Sequence, residues 1–170
     1  MPTLHLLCGK IASGKSTLGE TLATRHAALL LSEDHWLSAL YPGQITSVSD
    51  YVQHARRLRA VVGPLVTDLL SKGLEVVLDF PANRPEDRQW LGGLATAAGA
   101  TALLHYLELD DALCLERLQA RNGRGEHAFS ATQAEFELIT RHFQAPHADE
   151  GLQVRTHGSI DDSSALPRDA

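Results

Sequence analysis

The run Leu4-His5-Leu6-Leu7-Cys8-Gly9-Lys10-Ile11-Ala12-Ser13-Gly14-Lys15-Ser16 passes from an apolar stretch into a loop bracketed by two glycines. From Gly9 to Ser16 it completes the pattern Gly-x-x-x-x-Gly-Lys-Ser, in which a strand feeds a loop whose backbone N–H groups surround phosphate oxygens. Gly9 and Gly14 are required because a Cβ would block that close approach or forbid the positive φ it needs. The spacing assigns Lys15 to the β and γ oxygens of ATP and the Ser16 hydroxyl to Mg²⁺. Ala12, Ser13, Gly14 and Thr17 complete the contacts expected around the phosphates. The helix that starts at Lys15 adds the partial positive charge of its N-terminus.

Outward from this loop, short apolar runs alternate with longer segments of helical period, the pattern of a parallel sheet with crossover helices. Strands are expected near 3–8, 27–32, 74–79, 101–108 and 152–156. Helices are expected over Lys15–His26, Asp50–Lys72, Pro85–Ala98, Asp110–Asn122 and Thr132–Phe143. In the second of these, Leu58, Val62, Leu65 and Leu69 recur every three or four residues. Asp110 reads as an N-cap, and Gly73 and Gly99 as residues just past helix ends. At 170 residues the chain fits one domain, expected over 1–157, with 158–170 as a flexible tail.

Two strands end in acids. Leu29-Leu30-Leu31-Ser32-Glu33-Asp34 and Val76-Val77-Leu78-Asp79 deliver carboxylates to the edge of the sheet where ligands bind in open α/β folds. Asp34 is the candidate base for an acceptor hydroxyl, the competing reading being that Glu33 or Asp34 caps a short helix containing Trp36 and Leu40. Asp79 is the candidate Mg²⁺-side carboxylate. In the loop that follows, Asn83 and Arg88 are candidate contacts for acceptor or metal-bound water; a loop-stabilising asparagine and a solvated arginine are the competing assignment. Arg117 and Arg121, four residues apart, share a helical face, and Arg124 follows between glycines. Three fixed cations suit the charge that develops on a transferring phosphoryl group. Exposed helix charges are the alternative.

The net charge of −6 at pH 7 argues against a general attraction to nucleic acid or anionic membrane. Cys8 and Cys114 lie far apart in apolar settings, which points to buried thiols and a reducing compartment. No stretch near the start is long enough for a leader or a membrane span, so a cytoplasmic location is expected. Nine histidines are present. None pairs at the i, i+4 spacing of a helical metal site and no CxxC occurs, which reads as scattered core and surface histidines.

With Gly9–Thr17, Ser32-Glu33-Asp34, Leu78-Asp79 to Arg88 and Arg117/Arg121-Asn122 together, the sequence resembles a group of P-loop kinases. That group contains the zeta toxins, chloramphenicol phosphotransferase and the kinase domain of polynucleotide kinase, often described as AAA-type ATP-binding proteins. The resemblance covers roughly residues 4–154. It implies a P-loop NTPase three-layer α/β sandwich, a five-stranded parallel sheet in the order 2-3-1-4-5, and a lid near residues 122–130. It also implies that Asp34 activates an acceptor hydroxyl and that Arg117 and Arg121 grip ATP. Polynucleotide kinases carry an arginine shortly after the aspartate, where this chain has His35-Trp36-Leu37, so a small-molecule acceptor is favoured over nucleic acid. That acceptor is expected over Trp36, Tyr41 and Tyr51 and the basic stretch His54–Arg59, with Arg56 or Arg57 as a phosphate clamp. A nucleoside, nucleotide or polynucleotide 5′-hydroxyl kinase, and an ATP-dependent switch with little turnover, are the rival functions.

Overall fold

A computed structural model describes residues 1–125 and 131–158; the expected tail beyond 158 and most of the expected lid lie outside the described residues. The chain runs β1 (Thr3–Cys8), α1 (Lys15–His26), β2 (Leu29–Ser32), α2 (Glu33–Leu40), α3 (Val48–Ser71), β3 (Val76–Asp79), α4 (Pro85–Ala97), β4 (Thr101–Leu107), α5 (Asp111–Arg124), α6 (Gln133–Arg141) and β5 (Gln153–His157). All five strands are parallel, in the order β2-β3-β1-β4-β5. The expected sheet is therefore the observed one. β1 lies in its centre, which is why Leu4, Leu6, Leu7 and Cys8 are completely buried. Strands covered on both faces need continuous apolar runs.

The two faces of the sheet bury separate clusters. On one, Leu4, Leu6, Val76, Leu78 and Leu104 pack with Leu58, Val62, Val66 and Leu70 of α3 and Leu91 and Ala95 of α4. On the other, Leu7, Val77 and Leu107 meet Leu18 and Leu22 of α1. The period-2 alternation of β1 thus serves two layers at once. Both cysteines are buried free thiols, and burial raises the Cys8 thiol to about 11.

Helix boundaries follow from local chemistry. Asp110 accepts from the Leu113 N–H at 2.8 Å, Ser47 from the Asp50 N–H at 3.1 Å, and Thr132 with Glu135 forms a reciprocal capping box. Gly73 and Gly99 take positive φ just after their helices. The short helix containing Trp36 and Leu40, offered as the competing reading, is present as α2, but Ser32 caps it and Glu33 and Asp34 occupy its first turn, where their charge complements the helix N-terminus. Among the described residues no helix is long and apolar enough to cross a membrane.

Candidate active site

The two loop glycines meet different demands. Gly14 has φ 96°, a left-handed conformation that disfavours any L side chain. For Gly9 the limit is space: a Cβ there would lie 2.5 Å from Ser13 Oγ and 3.2 Å from the Leu107 carbonyl oxygen. Ala12, at φ 59°, carries the strain of a left-handed residue that is not glycine. Strain held in a loop of this kind is a mark of pre-organisation. The Lys15 ammonium donates to the carbonyls of Gly9 at 2.8 Å and Lys10 at 2.7 Å, which holds it over the loop. Burial pushes its pKa down, while Asp79 and Asp34 pull it back up.

The loop opens on a cleft of about 1280 Å³ at the carboxyl edge of the sheet. Ala12, Gly14, Lys15, Ser16 and Thr17 form its floor, whereas Gly9 and Ser13 lie behind the loop and shape it from within. Ser13 is buried, and its N–H closes a turn onto the Lys10 carbonyl at 3.2 Å. Ser16 Oγ donates to Asp79 Oδ2 at 2.8 Å. A hydroxyl beside a carboxylate, both facing the cleft, is an all-oxygen donor pair that suits Mg²⁺. Asn83 Oδ1 accepts from the Gly9 N–H at 3.4 Å, so this side chain both lines the cleft and ties the start of the loop to the segment after β3.

Cations come from α5. Arg117, Arg121 and Arg124 all line the cleft. Arg121 Nε is buried and finds no hydrogen-bond partner among the described residues, and burial lowers the pKa of its guanidinium, with Asp34 opposing the shift. A buried donor left unpaired on the wall of a cleft is costly unless a ligand satisfies it.

Glu33 and Asp34 point different ways. Glu33 is fully buried and receives Arg59 Nε at 3.0 Å. Asp34 lines the cleft. The Tyr51 hydroxyl reaches Asp34 Oδ1 at 2.8 Å and Glu33 Oε1 at 3.0 Å, and its single proton serves one of them at a time. Burial and the two adjacent carboxylates drive the Tyr51 phenol far above its ordinary value, so it stays a donor. Burial likewise raises Glu33, against the pull of Arg59 and Tyr51. Arg59 Nη1 continues the network to Asp87 at 3.0 Å, and Asp87 also accepts from Arg84 Nε at 3.3 Å. Asp34 is thus held from below by a lattice of charges and exposed above.

Three expected acceptor contacts need correction. Arg88 is completely buried: Nε and Nη2 form a fork on the Glu150 carboxylate, both at 2.6 Å, and Nη1 donates to the carbonyls of Ala82 and Gln144. It is a tether between the segment after β3 and the one before β5, facing away from the cleft. Trp36 and Tyr41 are also outside the cleft, packed against the core under α3. Trp36 lies two residues beyond Asp34, about 200° round a helix of 3.6 residues per turn, so the two cannot face the same space. Tyr41 packs edge-on to His54 at 4.1 Å. Arg56 lines the cleft as expected and Arg57 does not. The rest of that cleft wall is built from Ile45, Tyr51, Val52, Arg84, Asp87 and Trp90, with Glu135, Ile139 and His142 approaching from the α6 side. The wall from α6 carried no motif, and only the fold brings it there.

The sequence model of the AAA domain matches residues 4–146. The chain belongs to the AAA domain family. No curated protein matches this AAA domain chain in sequence. Among solved structures, Kti12 of Chaetomium thermophilum in complex with ADP-AlF3 superposes with a TM-score of 0.73 at 18% identity, over 95% of this chain and 92% of that one. A gluconokinase from Sinorhizobium meliloti 1021 gives 0.63 at 16% identity, over 93% and 83%. The APS kinase of Mycobacterium tuberculosis, in complex with AMPPNP and APS, gives 0.57 at 21% identity, over 96% and 93%. Identities this low speak to the fold. The AAA domain chain shares its fold with all three.

Proposed function

We propose that this chain is an ATP-dependent phosphotransferase that moves the γ-phosphoryl group of Mg-ATP to a hydroxyl of a small molecule. One observation carries the reading: Asp34, held by Tyr51, lines the same cleft as Lys15, the Ser16–Asp79 pair and the α5 arginines. A binding protein needs the phosphate cradle but has no use for a braced carboxylate beside it. At about 1280 Å³ the cleft also exceeds the roughly 1,000 Å³ at the upper end of single-ligand pockets, which leaves room for a second molecule.

In this reading the loop N–H groups and Lys15 hold the phosphates, and Arg117 and Arg121 stabilise charge on the transferring group. Ser16 and Asp79 would hold Mg²⁺, which would supply positive charge to offset that of the phosphates. Asp34 orients the acceptor hydroxyl and takes its proton. Tyr51 and Glu33 position Asp34, and Arg59 and Asp87 position them in turn. The acceptor lies against Tyr51, Val52, Arg56 and Trp90, and the exposed Arg56 and Arg84 suit an acceptor that carries an anionic group. The likeness to the zeta toxin, chloramphenicol phosphotransferase and polynucleotide kinase group supports hydroxyl phosphorylation, and the acidic net charge of −6 favours a small acceptor over nucleic acid.

The test is ADP release from Mg-ATP across hydroxyl-bearing metabolites, antibiotics, nucleosides, nucleotides and a 5′-hydroxyl oligonucleotide, with the product identified by mass. Lys15→Ala abolishes turnover, and Asp34→Asn removes transfer while sparing ATP binding. Transfer at the parental rate by Asp34→Asn would sink the assignment of the base. Silence with every acceptor, despite ATP binding, would replace the kinase by a nucleotide-dependent binding protein.

A further inference from the structure

Four of the nine histidines form a row that crosses one face of the sheet, from the C-terminal end of α1 to the last residue of β5. His5 of β1 lies between His26, in the last turn of α1, and His105 of β4, with His157 of β5 beyond. His5 Nδ1 is 3.0 Å from His105 Nε2, and His105 Nδ1 is 2.9 Å from His157 Nε2. On its other side, His5 Nε2 is 3.4 Å from Glu75 Oε2, the same oxygen that lies 3.6 Å from His26 Nδ1.

We propose that His5, His26 and Glu75 bind a divalent transition metal of the zinc class, with water completing a tetrahedral site. The three side chains offer ligand atoms that all lie within 4.8 Å of one another. Zinc bonds of about 2.0–2.2 Å to nitrogen and oxygen place tetrahedral ligands about 3.4 Å apart, so the two measured contacts to Glu75 already have the required length. Two imidazoles and one carboxylate are a zinc donor set with an open fourth position. His5 is buried at 2% exposure, whereas His26 and Glu75 are 24% and 31% exposed. The site is therefore anchored in the sheet and open to entering metal from solvent.

Two features of the surroundings favour a cation there. His26 is in the last turn of α1, where the helix C-terminus carries partial negative charge. The row also supplies the outer hydrogen bonds that metal-bound imidazoles use. If His5 donates from Nδ1 to His105, and His105 from Nδ1 to His157, every bond in the row is satisfied and the lone pair of His5 Nε2 faces Glu75. Reversing all the protons gives the metal-free arrangement, with His5 Nε2–H donating to Glu75. Binding thus selects one direction of a three-imidazole chain. Mechanically, β1 and α1 are joined at one end by the phosphate loop, and the metal joins them at the other.

Zinc titration of the full, nucleotide-free chain against a chromophoric chelator tests the site, with cobalt as the spectroscopic probe. The expected result is one equivalent at micromolar zinc, a tetrahedral cobalt absorption band, and a rise in Tm. His26→Ala and Glu75→Gln, both at partly exposed positions, weaken binding at least tenfold each and cancel the Tm rise, with circular dichroism and cooperative melting retained. Nitrogen NMR of the histidines shows the His5 proton moving from Nε2 to Nδ1 on addition of zinc. Absence of binding at micromolar zinc, binding that survives either variant, or a His5 tautomer indifferent to the metal overturns the proposal.

Discussion

The two ends of the β1–α1 unit solve ligand recognition in opposite ways. At the carboxyl end of β1 the protein removes side chains: Gly14 supplies a left-handed turn, and a Cβ at Gly9 would lie only 2.5 Å from Ser13 Oγ. At the other end it brings together the imidazoles of His5 and His26 and the Glu75 carboxylate, and the backbone is an ordinary strand and helix end. Backbone recognition depends on consecutive residues and writes itself into a short motif. Side-chain recognition across a sheet depends on strand register and writes almost nothing.

If the two ends are independent, a lesion at one should leave the other intact. The largest expected effect is Lys15→Ala, which lowers phosphoryl transfer by about a thousandfold or more while zinc affinity stays at the parental value; a joint loss in the same titration would break the comparison. Next is Arg88→Ala, which strands the Glu150 carboxylate beside buried carbonyls and costs about 3–5 kcal/mol in denaturant unfolding. An effect near zero would return Arg88 to the list of acceptor contacts. Gly9→Ala should cost about 1–3 kcal/mol by overpacking against Ser13 and the Leu107 carbonyl, and Gly9→Ala/Ser13→Ala, which removes the nearer obstacle, should recover part of it. Tyr51→Phe leaves the fold standing and lowers kcat by about tenfold, as expected for one lost hydrogen bond to Asp34, with KM for ATP unchanged. An equal rise in KM would move Tyr51 from positioning the base to binding substrate.

The smallest effect is on pH dependence. The Arg88 fork holds the Glu150 carboxyl below its ordinary 4.5. A depressed folded-state pKa contributes stability that is complete above the ordinary value and is lost as pH falls through the folded one. Unfolding of the parent should therefore become easier on acidification below about pH 4.5, and Glu150→Gln should flatten that slope in a series of urea melts.

The phosphate loop was legible from its own spacing and the inner strands from their apolar runs, whereas the order of the sheet came from the family resemblance. Asp34 and Asp79 were legible as strand-terminal acids, since the end of a strand in this fold is also the edge of the cleft. Arg88 misled because an arginine four residues into a helix looks the same whether it meets solvent or a half-buried carboxylate 62 residues away. Trp36 and Tyr41 misled because the short helix containing Trp36 and Leu40 was only the competing reading, and the acceptor was placed without applying its helical period. The histidine row was invisible: its contacts join residues 100, 52 and 70 positions apart. Only strand order and register bring such residues together, and spacing along the chain contains neither.

The φ of 96° at Gly14 has one more consequence. That angle is the mirror image of one an L residue adopts readily. A chain assembled by ligation with D-alanine in place of Gly14 should keep its loop geometry and lose conformational freedom in the unfolded state, whereas L-alanine there distorts the cradle. Chirality, which the twenty ordinary residues cannot vary, would then separate the turn's need for a backbone angle from the phosphates' need for room.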